Sequence, residues 1–189
     1  MKRPRLVVFD FDGTLATLPV DWGGLKKVLT EYAQERLGVD GRQVPYFAGM
    51  QTLKEKLDKQ SLEEIYRVVE EFEHRGIPHL IPHTAVVEYL RRSVERGSLA
   101  AVCSNNMTST VRMSLGRLGI APLVSEIVGM DSVTRLKPDP EGLSKILRTL
   151  KVTEAETVFV GDSSYDEQAA HEAGIRFVAA ESVELQLPE

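Results

Sequence analysis

Four short clusters in this chain hold residues that could do chemistry. The first is Asp10 and Asp12, carboxylates at i and i+2, followed by Gly13 and Thr14. Two acids this close repel unless a cation or a shared proton compensates. The pair reads as a metal site or an acid/base pair, and a solvated turn is the plain alternative, because Asp and Gly are ordinary turn residues. The second cluster, Ser104-Asn105-Asn106, offers a hydroxyl and two amides, or simply the cap of a following helix. The third is Lys137-Pro138-Asp139-Pro140, with Asp131 upstream. The fourth runs Gly161-Asp162-Ser163-Ser164-Tyr165-Asp166, and its acids could equally oppose a helix dipole. Pooled, these residues suit one task. Carboxylate oxygens bind Mg²⁺. Metal, lysine and hydroxyl can hold the equatorial oxygens of a phosphoryl group, and a carboxylate can act as the nucleophile.

The clusters work together only if the fold brings them together. Each follows an apolar run of strand character. Leu6 to Phe9 is continuous and apolar, as in a strand buried on both faces. Leu99–Cys103, Glu126–Met130, Thr157–Val160 and Ile175–Val178 carry the same signal. Helical faces alternate with them: Val86, Val87, Leu90 and Val94 before Gly97; Val111, Leu115 and Leu118 before Gly119; Leu143, Ile146, Leu147 and Leu150; and Tyr165 to Ala173 before Gly174. Alternating strands and helices predict right-handed βαβ units on a parallel sheet. Open sheets of this kind place ligands at the carboxyl ends of their strands, so the four clusters are expected to share one edge.

Between the first two clusters, Ala16 to Pro82 shows no strand signal. Trp22, Leu25, Val28, Leu29, Tyr32 and Ala33 make one helical face, with a stop at Gly38 and a loop over Val39 to Phe47. A short helix over Gln51 to Leu57 follows. Ser61 and Glu64 then form a capping-box pattern ahead of Ile65, Val68, Val69 and Phe72. The expected fold is an α/β, Rossmann-like parallel sheet flanked by helices, with a small all-helical cap inserted after the first strand. Residues 1–15 and 83–189 would form the core, 16–82 the cap, and Ala180 to Glu189 a tail. An insertion directly behind two carboxylates suggests a lid.

Bulk properties narrow the classes. The chain has 189 residues, 42% hydrophobic and 27% charged, with a formal net charge of -5 and no basic block. Clustered Lys and Arg are needed to hold a nucleic-acid backbone, so nucleic acid is not an expected partner. Cys103 is the only cysteine, which suits a reducing compartment, and it reads as a buried strand residue. The basic stretch Met1 to Arg5 leads into a run broken by Asp10 and Asp12, unlike a secretory segment. Nothing has the length of a membrane span, and the expected location is the cytoplasm. His74, His79, His83 and His171 share no ligand spacing and read as surface or structural. Trp22 reads as helix-face packing that could also reach the site.

Asp10-Phe11-Asp12-Gly13-Thr14-Leu15 resembles the first motif, DxDGT, of the haloacid dehalogenase superfamily of phosphatases. Val102-Cys103-Ser104-Asn105 resembles the second, Lys137-Pro138-Asp139-Pro140 the third, and Val160-Gly161-Asp162 with Asp166 the fourth, GDxxxD. Order and spacing agree, and the helical insertion resembles the family's type-1 cap, in the manner of phosphoglycolate phosphatases. The resemblance implies roles. Asp10 would attack phosphorus, and Asp12 would serve as general acid and base, oriented by Thr14. Ser104 and Lys137 would hold phosphoryl oxygens, with Asn105 nearby. Mg²⁺ would lie on Asp10, the Asp12 main-chain carbonyl and Asp162, supported by Asp166. It further implies a small phosphorylated metabolite as substrate and a monomer or homodimer. Gly49-Met50-Gln51 resembles the cap's substrate loop, so Gln51 or Lys54 could meet substrate. Thr17 to Trp22 replaces the family's usual acidic-serine pair. The alternatives are a sugar-phosphate mutase on the same scaffold, a dehalogenase (against which Asp12 argues), a receiver-like phospho-acceptor module, and a silent interaction protein.

Overall fold

The run Leu6–Phe9 is a strand, β1, and all four of its residues are fully buried. Such a strand needs neighbours on both edges and helices on both faces. The computed structural model, which describes residues 3–37 and 46–186, supplies both. Five parallel strands make the sheet, in the order β5 (Val124–Val128), β4 (Leu99–Cys103), β1, β6 (Thr157–Gly161) and β7 (Arg176–Ala179). Successive residues of β1 face opposite ways. Val7 and Phe9 join a core cluster with Val86 and Leu90 of α4 (Thr84–Glu95) and Val111 and Leu115 of α5 (Thr108–Arg117). Leu6 and Val8 join the opposite cluster, with Leu143, Ile146 and Leu147 of α6 (Glu141–Leu150) and Ala169 and Ala170 of α7 (Ser164–Glu172).

The strand order reverses beside β1. The chain builds outward through β4 and β5, then returns to the other side for β6 and β7. Phe9 lies opposite Val102 of β4 and Val160 of β6. The residues that follow, Asp10 and Asp12, Ser104 and Asp162, therefore leave the sheet at one edge, around its switch point.

Three helices stand between β1 and α4: α1 (Trp22–Leu37), α2 (Tyr46–Lys56) and α3 (Lys59–Gly76). They enclose a third cluster of Leu25, Leu29, Met50, Leu53, Ile65 and Val69, and that cluster is shared with Met107, Met130 and Leu136 from the loops at the strand ends. The inserted helices thus sit on the edge that carries the polar clusters.

Five expectations about the elements are corrected. The segment 16–82 is not all helical: β2 (Ala16–Thr17) pairs antiparallel with β3 (Ile81–Pro82), joining the two ends of the insertion. Strands of two residues are too short to show a period. α3 starts at Lys59, not behind a Ser61 box, because the Asp58 carboxylate caps it by accepting from Ser61 N at 2.8 Å. Val124–Val128 is the strand where Glu126–Met130 was expected, since apolar character runs past its end to Met130, which packs under the insertion. The tail is ordered as far as it is described: Ala180–Gln186 turns helically and buries Val183 in the first cluster. Tyr46 and Phe47 begin α2 rather than end a loop. The stop at Gly38 and the loop over 39–45 lie outside the described residues, as do 187–189 and the first two residues. Among the described residues no helix is long and apolar enough to cross a membrane.

Phe9 fills the central strand's contact with α4, including an edge-to-face packing on Tyr89 at 6.1 Å. Phe9→Ala is expected to cost about 3–5 kcal/mol, read as a lower urea midpoint at an unchanged slope.

Candidate active site

Lys137 is the buried cation at the sheet edge. Its Nζ donates to Asp10 Oδ1 at 2.6 Å and to Asp166 Oδ1 at 2.5 Å, and all three residues are buried. It lies 5.5 Å from the centre of the Phe159 ring in β6. Burial works against the ammonium, but Asp10 and Asp166 outweigh it and raise its pKa. Burial also pushes Asp10 up, to about 7, with Lys137 pulling the other way and Asp166 adding to the rise. Asn105 sets this lysine: its Oδ1 accepts from Lys137 N at 3.0 Å, and its Nδ2 donates to Lys137 O at 3.1 Å. The amide expected near phosphate is thus engaged with the lysine's backbone.

Asp12 stands two residues on, where the chain turns toward β2. Its Oδ1 accepts from Leu18 N at 2.7 Å. Burial raises its pKa, against that hydrogen bond, and Asp162 adds to the rise. Thr14 orients a different acid from the one expected, because its Oγ1 donates to Asp162 Oδ1 at 2.8 Å. Gly13 makes the turn possible. Its φ is +90°, and a Cβ there would lie 2.3 Å from Asp162 Oδ2, so neither the backbone nor the space admits a side chain. His83 is structural, as expected. Its Nδ1 lies 3.1 Å from Thr14 O and its Nε2 2.9 Å from Thr17 Oγ1. A carbonyl partner requires the proton on Nδ1.

Asp166 serves two masters. As the third residue of a capping box it accepts from Ser163 N and Ser163 Oγ with Oδ2, while Oδ1 takes Lys137. One oxygen from each of Asp10, Asp162 and Asp166 lies within 4.8 Å of the others. With Asp12 also at this sheet edge, four carboxylates gather there with one buried lysine, which meets two of them. Hard oxygens in excess of positive charge fit a bound divalent cation such as Mg²⁺.

At the end of β4, Ser104 Oγ donates to Asn106 Oδ1 at 2.9 Å and accepts from Asn106 N at 3.2 Å. Asn106 Nδ2 in turn donates to Glu73 Oε1 at 2.9 Å. Glu73 was not among the expected site residues. Its one visible sign is its place on α3, four residues beyond Val69 and eight beyond Ile65, on the face that otherwise buries apolar side chains.

Asp10, Asp12, Ser104, Lys137 and Asp162 open onto a cavity of about 430 Å³, whose walls include Trp22 of α1 and Tyr165 of α7. Trp22 therefore both packs and reaches the site. Gln51 and Lys54 turn elsewhere. Gln51 Oε1 accepts from Leu136 N at 3.0 Å, and Lys54 Nζ donates to Met130 O at 2.7 Å. They brace the inserted helices on the loops before Lys137. Asp131 is likewise structural, accepting from Thr108 N at 2.8 Å at the start of α5. Burial pushes the Cys103 thiol up to about 12, which leaves it a poor nucleophile.

Comparison with known proteins agrees with this geometry. The family model described as haloacid dehalogenase-like hydrolase matches residues 7–180. A phosphoglycolate phosphatase of Rhodospirillum rubrum is 28% identical over 189 residues, covering 93% of this chain and 78% of that one. A pyrophosphatase PpaX of Listeria innocua is 27% identical over 171 residues, 88% and 78% of the two chains. One from Halalkalibacterium halodurans is 29% identical over 122 residues, 64% of this chain and 57% of its own length. Among solved structures, CbbY from Rhodobacter sphaeroides in complex with phosphate superposes with a TM-score of 0.67 at 20% identity, covering 93% and 85% of the two chains. A hydrolase of subfamily IA, variant 1, from Geobacter sulfurreducens gives 0.60 at 24% identity, covering 93% and 86%. A match over nearly the whole chain, on a fold that gathers all four polar clusters at one sheet edge, means that this protein belongs to the haloacid dehalogenase-like hydrolases.

Proposed function

We propose that this enzyme is a Mg²⁺-dependent phosphatase for a small phosphate monoester, working through an aspartyl phosphate. The observation that supports this most is the buried Lys137 bridge between Asp10 and Asp166, with Asp10 opening onto the cavity. A lysine ammonium favours the ionised form of a carboxylate that burial would otherwise protonate. Asp10 is therefore the nucleophile, its oxygen forming a bond to phosphorus as the ester P–O bond breaks. Asp12 has a raised pKa and no lysine on it. It gives its proton to the leaving oxygen. It then takes a proton from the water that attacks the aspartyl phosphate, releasing phosphate and restoring Asp10. Ser104 and Lys137 hold phosphoryl oxygens. Asp10, the Asp12 carbonyl and Asp162 would hold Mg²⁺, which supplies positive charge against the phosphoryl oxygens. Both oxygens of Asp166 are already engaged, which favours a place behind those ligands.

In this reading residues 16–82 are a cap over a core of 1–15 and 83–189, supported by the cluster they share with the strand-end loops. A cavity of about 430 Å³ suits a small phosphorylated metabolite, of which phosphoglycolate is one candidate, and the unpaired thiol of Cys103 suits action in the cytoplasm.

Phosphate release from a generic aryl phosphate should vanish in Asp10→Asn, and activity surviving that substitution would remove Asp10 as nucleophile. Asp12→Ala should lower kcat by about 10²- to 10⁴-fold; an unchanged rate means that another group moves the proton. Chelation with EDTA should abolish turnover and added Mg²⁺ should restore it, whereas full activity after exhaustive chelation contradicts the metal requirement.

A further inference from the structure

The walls of the cavity carry two kinds of residue. Asp10, Asp12, Lys137 and Asp162 bring charge, while Trp22 and Tyr165 bring aromatic surface. Trp22 opens α1 on the inserted helices, and Tyr165 lies in the first turn of α7 beside the sheet. Trp22 is partly buried against the cluster of Leu25, Leu29 and Ile65, and Tyr165 is exposed.

Charge on these walls leaves little for a second anion. Lys137 is the one cation among the described lining residues, and it is buried and shared by Asp10 and Asp166. With Mg²⁺ bound and Asp12 carrying its proton, lysine and metal only balance Asp10, Asp162 and Asp166. The phosphoryl group then adds negative charge of its own. The nearby lysines of the insertion are placed elsewhere. Lys54 lines a separate cavity, its Nζ donating to Met130 O at 2.7 Å, and Lys26 and Lys27 line a third. A carboxylate or second phosphate on the substrate would thus lie among acids without a counter-ion, where like charges repel. An apolar group would instead cover aromatic surface and gain by leaving water.

We propose that the substrate is a phosphate monoester of an uncharged, apolar alcohol, and that Trp22 and Tyr165 select it by packing against the alcohol part. This rests on the phosphatase reading for the place of the phosphoryl group. Within that reading it names the class of ester, and esters with a second anionic group become the disfavoured ones.

Trp22 is the only tryptophan in the chain, so its fluorescence reports on the cavity without turnover. The probes are benzylphosphonate and phosphonoacetate at saturating Mg²⁺, which carry a phenyl ring or a carboxylate on the same phosphonomethyl group. Benzylphosphonate should shift Trp22 emission to the blue. By calorimetry it should bind about tenfold tighter than phosphonoacetate, the gain from covering roughly 50 Å² of apolar surface. Trp22→Ala and Tyr165→Ala should each lose several-fold on benzylphosphonate and much less on phosphonoacetate. Tyr165→Lys supplies the missing cation and should reverse the preference. Melting curves establish folding, and if Trp22→Ala does not fold, the two variants of the exposed Tyr165 carry the test. Equal affinity for the two probes, tighter binding of phosphonoacetate, an unmoved emission with benzylphosphonate, or equal losses on both probes would overturn the proposal. Turnover of benzyl phosphate and phosphoglycolate, both of which leave a primary alcohol, separates the two claims. Selective binding without phosphate release from either ester sinks the phosphatase reading alone, and release that favours phosphoglycolate sinks the substrate class alone.

Discussion

One buried ammonium holds the edge of this sheet together. Lys137 is shared by Asp10 of the β1 end and Asp166 of α7, at 2.6 and 2.5 Å. Taking three charges out of water is costly unless their geometry is good and their other atoms are satisfied. Each partner here is satisfied. Asn105 binds the lysine's backbone, Ser163 takes the second oxygen of Asp166, and Phe159 lies beside the ammonium. Removing Lys137 would leave two buried acids without their shared cation. The bridge ties the end of β1, the first turn of α7 and the loop before α6 into one arrangement beside the cavity.

A second layer of interactions comes from the inserted helices. Gln51 and Lys54 hold main-chain groups of the loop leading to Lys137, and Glu73 holds Asn106 and Met107. Met107, Met130 and Leu136 give the same loops an apolar seat under α1 to α3. The lysine bridge supplies charge and the insertion supplies constraint. Residues on two separate elements thus fix loops that would otherwise be solvated turns.

Much of this was legible in the chain. β1 and β4 were expected at the residues where they occur, because a continuous apolar run that ends abruptly in polar residues has few other readings. The gathering of Asp10, Ser104, Lys137 and Asp162 followed from strand ends sharing an edge, and the motif order pointed to the family that the comparison shows. What escaped depended on partners distant in sequence. Thr14 meets Asp162, 148 positions away, and nothing local distinguishes that from a bond to Asp12. Glu73 looks like a surface acid until its neighbours on the helix face are seen to be buried. β2 and β3 carry too few residues to announce themselves, and Asp58 took the capping role from Ser61 because either side chain could start a helix there.

The ribbon of β2 and β3 has a consequence of its own. Ala16 lies across from Pro82 and Thr17 from Ile81, so more than sixty residues leave and rejoin the sheet layer at neighbouring points. An element attached through two adjacent ends can be exchanged for another of different length without shifting the strands that carry it. The ribbon therefore behaves as a grafting junction, at which one helical module could replace another. Met107, Met130 and Leu136 set the condition on such an exchange: any replacement must bring its own apolar surface to cover them.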